Sequence, residues 1–509
     1  MKKKPVNRWR WWLLIIPAVL IILWPLLRPG FFISDDGEWM IIRLSAFFQS
    51  LRDGQFPTRW LGRLNHNYGY PVANFLYPGF LYAGSLLHLV GFSFSGAVKI
   101  ILGASVSAAA FLVFAWLNCL FTPLASYLGT LAFLFSPYLF FDLYQRGSVG
   151  EIFALPAAAL GFYSIESNQP WIFALAIGWL ILGHNTLALL LVSLLVVYFL
   201  LKQRKNFWLP GLFGLGVSAF FWLPAIYEKR WVIFDLVSVA KPAEYFRQGN
   251  YLCLLGTVNL LAVLLLLFRR KRAFSPVKIF FLVASIVAMI LATSLAAPVW
   301  QSNLLAKLVQ FPYRTLAIAL FTNAWIIAWL FTEIPPLQRW KLLVACLALW
   351  FLAFWQGAPR VEFVERPEGF YTTNEATTTV ADEYLPRWVH IKPSQRTYQK
   401  IIFASGRGEI EVSQVTTRRL LARVTADGKG VLQLNTIYYP GWGVLLDSQP
   451  VEIDYDNSQG LIRFPVPAGE HQVRAEFRET PLRLLADGIS AFSLVGYLAY
   501  LRFVSNKKT

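Results

Sequence analysis

The stretch from Ile100 to Phe141 reads IILGASVSAAAFLVFAWLNCLFTPLASYLGTLAFLFSPYLFF and contains no Asp, Glu, Lys or Arg. A helix needs roughly 20 apolar residues to cross the hydrocarbon core of a bilayer, so this stretch holds about two spans. A second stretch without these charges covers Ser167–Leu201. With 56% hydrophobic and only 15% charged residues, the sequence predicts a polytopic α-helical membrane protein.

The net charge of +18 raises the question of nucleic acid as a partner. The basic residues nevertheless lie in clusters beside apolar segments: Lys2-Lys3-Lys4 with Arg8 and Arg10, Lys202-Arg204-Lys205, Arg269–Arg272, Arg339 with Lys341, and Lys507-Lys508. This distribution is typical of cytoplasmic loops under the positive-inside rule. We therefore expect a multi-pass protein of the inner or plasma membrane, with membrane lipids around it, no nucleic acid partner and both termini in the cytoplasm.

Cytoplasmic termini require an even number of spans, and we predict about twelve. Trp11–Leu27 has no small-residue cleavage site and is predicted to be a retained first helix rather than a signal peptide. The later spans are predicted at Phe207–Ile226, Tyr251–Phe268, Val277–Ala296, Tyr313–Phe331, Leu342–Gln356 and Leu484–Val504. The predicted domains are a membrane domain at 1–356, an exterior domain at 357–483, and a final span with a basic tail at 484–509.

Because the number of spans must be even, the interpretations of two segments in the first half of the chain depend on each other. Either Asn74–Gly91 crosses the membrane and Trp171–Leu201 is one helix, or the former is a surface helix and the latter is a pair broken near His184. We favour the second, because 31 helical residues would measure about 46 Å against a core of roughly 30 Å. This choice places Asp142–Glu151 and His184 on the same side as the acids Asp35 and Asp36.

The exterior segment has a different pattern from Lys400 onward. Short runs alternate apolar and polar residues, as in Gln472–Phe477, and turn residues such as Asp427-Gly428 and Pro467–Gly469 separate them. The pattern predicts an antiparallel β-sandwich of about eight strands.

The sequence carries no P-loop, Rossmann fingerprint, HExxH or Gly-x-Ser-x-Gly motif. Its three cysteines, Cys119, Cys253 and Cys346, lie in apolar stretches, so we expect neither a disulfide framework nor a metal cluster. An ATP-driven activity is disfavoured. The donor of any reaction is then expected to be membrane-borne.

The first predicted exterior loop, 28–97, contains the acidic pair Asp35-Asp36 directly before an amphipathic segment, Glu38–Leu51. Such a segment predicts a helix at the membrane interface. Carboxylates held there suit chemistry on a lipid-borne substrate. An acidic pair before a helix is also an ordinary cap, and the sequence leaves both interpretations open.

Further polar residues interrupt the apolar runs. Arg146 and Glu151 form either a structural ion pair or part of a substrate site. His184-Asn185 marks the proposed helix break. Arg314 lies at the exterior end of a span, where the positive-inside rule gives no reason for a cation, and its planar fork suits a phosphate.

The chain carries the motifs Ser34-Asp35-Asp36, Asp53–Trp60, Gly69–Pro71 with Phe75–Pro78, Arg146 with Glu151, Gly183–Asn185, Gln310–Arg314, Glu383–Pro386 and Tyr438–Trp442. Together these motifs resemble those of the bacterial YfhO-like membrane proteins, also labelled 6-pyruvoyl-tetrahydropterin synthase-related. These proteins are similar to the GT-C superfamily of polyprenyl-phosphate-sugar-dependent glycosyltransferases.

The resemblance implies a GT-C-like membrane domain whose general base is Asp35 or Asp36, in a loop with two juxtamembrane helices. It implies that Arg314, together with Arg146, binds the lipid phosphate. The residues expected to contact substrate are Arg59, Trp60, Tyr77, Glu151, His184 and Asn185. The second loop lacks Asp-x-Asp, so a divalent cation (Mg or Mn) is left open and no metal ligand is assigned.

The function implied is inverting transfer of a sugar from a polyprenyl-phosphate-linked donor to an exterior glycan, lipid or protein acceptor. A non-catalytic transporter is the first alternative, because broken helices with polar residues also characterise transporters. A lipid- or glycan-binding envelope assembly protein is the second. The sequence specifies neither the sugar nor the acceptor.

Overall fold

A computed structural model describes residues 9–237, 242–246, 275–301, 304–333, 344, 348 and 361–506. The spans predicted at Tyr251–Phe268 and Leu342–Gln356, and the cysteines Cys253 and Cys346, lie outside these described residues, apart from single helical positions at 344 and 348. Cys119 is a free, exposed thiol.

The described part of the first two thirds of the chain is helical. Its main α-helices are α1 (Trp9–Leu23), α2 (Gly37–Arg52), α3 (Gly79–Leu89), α4 (Phe94–Asn118), α5 (Pro123–Leu134), α6 (Pro137–Phe140), α7 (Val149–Glu166), α8 (Pro170–Gly183), α9 (Asn185–Leu201), α10 (Trp208–Val217), α11 (Ala219–Glu228), α12 (Pro276–Leu291), α13 (Ala297–Gln301), α14 (Leu304–Val309) and α15 (Leu316–Glu333). Helices α16 (Glu368–Thr373) and α17 (Pro481–Asn506) follow. Local sequence explains where helix α5 begins. The Thr122 side chain caps it by accepting a hydrogen bond from the Ala125 amide, and Pro123 occupies its first position.

Five helices in the described residues are long and apolar enough to cross a membrane, and bent pairs raise this number to as many as eight. The five are Arg10–Leu27, Phe94–Asn118, Val149–Glu166, Pro312–Glu333 and Pro481–Val504. The spans predicted at Phe207–Ile226 and Val277–Ala296 contain bends of 66° and 86°, respectively. The structure thus confirms a polytopic helical membrane protein, while the count of twelve stays a prediction.

The break at His184 is confirmed. Helix α8 ends at Gly183 and α9 begins at Asn185. The rings of Phe173 and Phe199 lie 5.8 Å apart, so the end of α9 returns to the start of α8. The pair is therefore a helical hairpin with His184 at its tip.

The segment 74–91 contains only the eleven-residue helix α3. At 1.5 Å per residue it measures about 16 Å, too short for a bilayer core of roughly 30 Å. Helix α3 packs on α2, and the Leu44 side chain fills the space that a Cβ at Gly84 would occupy, at 2.7 Å. The short helix α3 and the break between α8 and α9 agree with the favoured alternative, in which Asn74–Gly91 is a surface helix and Trp171–Leu201 is a broken pair.

The C-terminal region is an antiparallel sandwich of eight strands, as predicted. The strands are β3 (Ile401–Ser405), β4 (Gly408–Val415), β5 (Arg419–Ala426), β6 (Gly430–Ile437), β7 (Trp442–Leu446), β8 (Gln449–Val451), β9 (Leu461–Val466) and β10 (Gly469–Phe477). They form a five-stranded sheet in the order β4-β5-β10-β7-β8 and a three-stranded sheet in the order β3-β6-β9. Val473, Ala475 and Phe477 of β10 are buried between them, which gives the alternation its physical cause.

The first loop and the C-terminal region are packed together. Strand β1 (Phe31–Phe32) pairs with β2 (Phe363–Val364), residues more than 300 positions apart. The Tyr68 carbonyl accepts a hydrogen bond from the Ile437 amide at 3.0 Å. The loop that carries the acidic pair is therefore held by the C-terminal part of the chain.

Candidate active site

The acidic pair and the loop 142–151 meet through their backbones. The Asp35 amide donates to the Gln145 carbonyl at 3.0 Å, and the Asp36 amide donates to the Arg146 carbonyl at 2.8 Å. The predicted juxtaposition of these two loops is confirmed. It rests on main-chain bonds, so it does not depend on any one side chain.

Asp36 occupies the N-cap position of α2 but makes no side-chain capping bond. The Ser34 hydroxyl accepts the Gly37 amide instead, at 3.2 Å. The Asp36 carboxylate turns to Arg146, with Oδ2 3.1 Å from Nη2, and 26% of its side chain is exposed. The capping interpretation of Asp36 is therefore wrong, while Asp35 is exposed beside it.

Glu151 is the centre of the buried charges, with no exposed surface. Its Oε1 accepts from Arg146 Nη1 at 2.6 Å and from Arg314 Nε at 2.9 Å, and its Oε2 accepts from the Tyr138 hydroxyl at 3.1 Å. Gly147 has a φ of 64°, which ends the preceding turn in the left-handed conformation that glycine adopts without strain. Helix α7 then begins at Val149, so Glu151 lies in its first turn, where the helix dipole favours a negative charge.

A six-residue π-helical turn, Phe141–Arg146, supplies the other two charged groups of this loop. Arg146 Nη1 lies 3.4 Å from Asp142 Oδ1, and both side chains are nearly inaccessible. Turns of this type are rare and recur at functional sites. The Arg146–Glu151 ion pair is thus present, within a larger network.

Arg314 starts the α15 span from a short turn, Pro312–Thr315. Besides Glu151, its Nη1 contacts Gln310 Oε1 at 2.6 Å and the Val309 carbonyl at 3.2 Å. The Phe311 ring lies 4.9 Å from the guanidinium carbon of Arg314 and 5.7 Å from that of Arg146. The two cations are therefore positioned together by one carboxylate and one aromatic ring.

The tip of the helical hairpin joins the same cluster. His184 Nε2 is 3.6 Å from Glu151 Oε1, and its Nδ1 accepts the Leu187 amide at 3.2 Å. A neutral His184 with that bond carries its proton on Nε2, facing Glu151. The Tyr77 ring lies 4.5 Å from the His184 ring, and burial raises the pKa of its phenol above the ordinary value. Asn185 donates to the Phe75 carbonyl at 3.1 Å.

The structure does not bring Arg59 and Trp60 to this cluster. Arg59 forms ion pairs with Glu479 at 2.8 Å and Asp487 at 2.9 Å. Trp60 is fully buried, with its ring stacked 5.6 Å from Phe477. Both join the first loop to the C-terminal region, which gives them a structural explanation; their substrate contacts stay predictions.

Tyr138 and Gln310 belong to this cluster but were not predicted from the sequence. Gln310 belongs to the motif that ends at Arg314, so the sequence pattern could have identified it. Tyr138 lies in the charge-free run, where nothing distinguishes it from a packing residue. Within the described ranges, no group of three or more His, Cys, Asp or Glu side chains is arranged to hold a metal ion.

The three carboxylates around Arg146 differ in their access to water. The Asp142 and Glu151 side chains are 2% and 0% exposed, against 26% for Asp36. A group that exchanges a proton with a substrate must be reachable by it. The cluster therefore offers one accessible carboxylate beside two buried guanidinium groups.

No protein-family model matches this chain, and no curated protein matches it in sequence. Solved structures with a similar course of the chain include the three described next. Arabinofuranosyltransferase AftD from Mycobacteria has 14% identity and a TM-score of 0.47, over 70% of this chain and 27% of that one. ArnT from Cupriavidus metallidurans, bound to undecaprenyl phosphate, has 16% identity and a TM-score of 0.44, over 71% and 68%.

The third structure, the Archaeoglobus fulgidus oligosaccharyltransferase in the apo form, has 12% identity and a TM-score of 0.42, over 70% of this chain and 56% of that one. The matched region thus spans about a quarter of AftD and just over half of the oligosaccharyltransferase. With TM-scores below 0.5, these likenesses assign no activity to the chain.

Proposed function

We propose that this protein is a membrane glycosyltransferase that transfers a sugar from a polyprenyl-phosphate-linked donor to an acceptor hydroxyl. One observation carries the proposal: the accessible Asp36 carboxylate lies 3.1 Å from Arg146, which shares Glu151 with Arg314. A base and two phosphate-binding cations are the groups that this reaction requires.

In the proposed reaction, the acceptor oxygen attacks the anomeric carbon of the donor as its proton passes to Asp36. The bond between the anomeric carbon and the phosphate oxygen breaks, and polyprenyl phosphate leaves with the electron pair. Attack opposite the phosphate inverts the anomeric centre. Arg146 orients the Asp36 carboxylate through their ion pair, in which Nη2 and Oδ2 are 3.1 Å apart.

Arg314 is the proposed ligand of the departing phosphate. Within the described residues, its Nε and Nη1 atoms donate hydrogen bonds to Glu151, Gln310 and Val309. Its Nη2 atom therefore remains for a phosphate oxygen. Glu151 pairs with both cations before the donor binds, and Asp36 and Asp142 also pair with Arg146. The planar guanidinium allows one side to be fixed by protein and the other to bind an anion.

The experiment is release of polyprenyl phosphate by the purified full-length protein in lipid nanodiscs, with a panel of undecaprenyl-phosphate-linked sugars as donors. Cell-envelope glycans compared with and without the gene select the sugars and the acceptor. We expect Asp36→Asn to lower turnover by roughly a hundred- to ten-thousandfold, because removal of a general base costs that much.

Asp35→Asn tests the neighbouring acid, and Asp427→Asn, in the turn between β5 and β6, is the matched control. The proposal requires Asp427→Asn to behave as the unmodified protein. Full activity in both Asp35→Asn and Asp36→Asn would reject the catalytic assignment. Transport of the donor without its cleavage would support the transporter instead.

A further inference from the structure

A cavity of about 930 Å³ lies between the first loop and the sandwich. The C-terminal half of α2, the segment 60–68, the residues after α16 and strands β4 to β7 contribute to its walls. Its volume is in the range of sites that enclose a ligand of several rings. None of the residues in the cluster around Glu151 lines it, whereas Trp60, which the sequence predicted to contact substrate, does.

Aromatic side chains line this cavity more than aliphatic ones. Phe48, Trp60, Tyr68, Tyr398 and Trp442 are among the former. The aliphatic lining residues are Val415, Leu420 and Leu434. An acyl chain would be bound by a continuous aliphatic surface, whereas the C–H face of a sugar ring packs on a flat aromatic ring. Tyr398 is 86% exposed and presents such a ring to solvent.

The cavity also has an excess of positive charge, with five basic against two acidic lining residues. Two of the cations are already paired, Arg396 with Glu375 at 3.1 Å and Arg419 with Glu476 at 2.6 Å. The excess of positive charge therefore comes from the three basic residues that are not in these pairs.

Arg63 and Lys400 lack such partners. No carboxylate of the described chain lies within ion-pair distance of either, and they donate mainly to backbone carbonyls, those of Thr372 and Tyr371 for Arg63 and that of Asn67 for Lys400. Burial lowers the pKa of Arg63 to about 10 and that of Lys400 to about 8, and Glu375 opposes both shifts. A partly desolvated cation without a counter-ion is costly unless another group compensates it.

Neutral polar side chains also line the cavity, namely those of Ser45, Gln49, Asn67, Thr372, Thr373, Thr416, Thr417 and Thr436. Hydroxyl and amide groups of this kind can form hydrogen bonds with the hydroxyl groups of a polar ligand. The wall therefore suits a polar ligand better than an apolar one.

We propose that this cavity binds an anionic saccharide, with its acidic group at Arg63 and Lys400 and a sugar ring on Tyr398. The cavity begins at Ser45, nine residues along α2 from Asp36, or about 14 Å. If the proposed transferase activity holds, this is the distance of a few sugar units, so the bound saccharide is the acceptor chain. The binding claim itself is independent of catalysis.

The experiment measures binding of three hexamers to the full-length protein in detergent: α-1,4-linked galacturonate, the neutral maltohexaose, and hexaglutamate. We expect galacturonate to bind at least about tenfold tighter than either of the others, because charge-assisted hydrogen bonds and a sugar face are both required. Equal binding of maltohexaose would remove the role of the cations. Equal binding of hexaglutamate would make the cavity a site for acidic peptides.

Two variants locate the binding site. Lys400→Met removes the buried charge, and Tyr398→Ala removes an exposed ring that the fold does not need, so each should weaken galacturonate by about tenfold or more. Arg407→Gln, an exposed cation in the β3–β4 turn, is the control and should bind as the unmodified protein. Unchanged affinity in both Lys400→Met and Tyr398→Ala would overturn the proposal. Asp36→Asn should bind normally, which separates failure of binding from failure of catalysis.

Discussion

Replacement of Glu151 by Gln tests the interpretation that this carboxylate holds the buried cluster together. Glu151 has no exposed surface and is the carboxylate partner of Arg314, which is itself 7% exposed. Gln keeps the size of the side chain but leaves the Arg314 charge uncompensated. Arg146 is less affected, because Asp36 and Asp142 stay within 3.1 and 3.4 Å.

Removal of one partner from a buried ion pair costs about 3–5 kcal/mol, since the remaining charge stays desolvated. The matched control is Glu166→Gln, at the other end of the same helix. Glu166 pairs with Lys202 at 2.8 Å, and 24% of the Lys202 side chain reaches solvent. Water can compensate that cation, so we expect the control to lose only about 1 kcal/mol.

The assay is unfolding by SDS in mixed micelles, followed by the fluorescence of the 20 tryptophans. Glu151→Gln should unfold at a clearly lower SDS fraction than Glu166→Gln. Adding Arg314→Met to Glu151→Gln removes the stranded charge and should restore part of the stability. Equal stability of the two single variants, or a double variant that is less stable still, would refute this role of Glu151.

Further variants test the phosphate ligand, the membrane topology and one carboxylate of the sandwich. Arg314→Lys should weaken binding of an undecaprenyl-phosphate-sugar donor by roughly tenfold, because an ammonium cannot bond Glu151 and a phosphate in one plane; unchanged affinity in Arg314→Ala would remove its phosphate role. An impermeant maleimide should label Ser458→Cys in intact cells but Gln203→Cys only after permeabilisation, and the reverse would overturn the topology. Burial alone would raise the pKa of Glu476, but hydrogen bonds from Arg419, Arg478 and Arg474 lower it from 4.5 to about 2. The stability that this carboxylate contributes should therefore be lost as the pH falls through that window. Glu476→Gln should show a smaller decrease of melting temperature there than the unmodified protein.

The features predicted correctly from sequence are those that local chemistry decides. Charge-free runs form the long helices because each must bury about 20 apolar residues in the bilayer. The break at His184 follows from length, since one straight helix would be too long for the membrane. Alternation in Gln472–Phe477 gives a strand because one face of the sheet is buried.

The bend at Ser218 was not predictable in this way. Helix α11 starts there with its Phe220 amide bonded to the Ser490 hydroxyl at 2.7 Å. Ser490 belongs to α17, 270 residues later in the chain. A helix can bend where a distant side chain satisfies the amides that the bend exposes, and no local pattern records that partner.

The partners of Arg59 show the same limit. Glu479 and Asp487 satisfy its charge from more than 400 residues away, so no local pattern records them, and its substrate contact stays a prediction. Asp36 was separated from a cap only by geometry, because the neighbouring Ser34 takes that role. Residue type identifies candidates, and the partners decide among them.

The acidic pair is held on both sides, which bears on how the site works. Before it, the Ile33 amide bonds the Glu362 carbonyl at 2.8 Å and β1 pairs with β2; at the pair itself, the amides bond the turn at 145–146. A general base gains from such fixation, because its orientation is set before the substrate arrives. Strand β2 thus contributes to the frame of the site, and the sandwich contributes a wall of the cavity at Lys400. The segment that contains β2 is therefore part of the proposed catalytic architecture, although the sequence places it in the exterior domain.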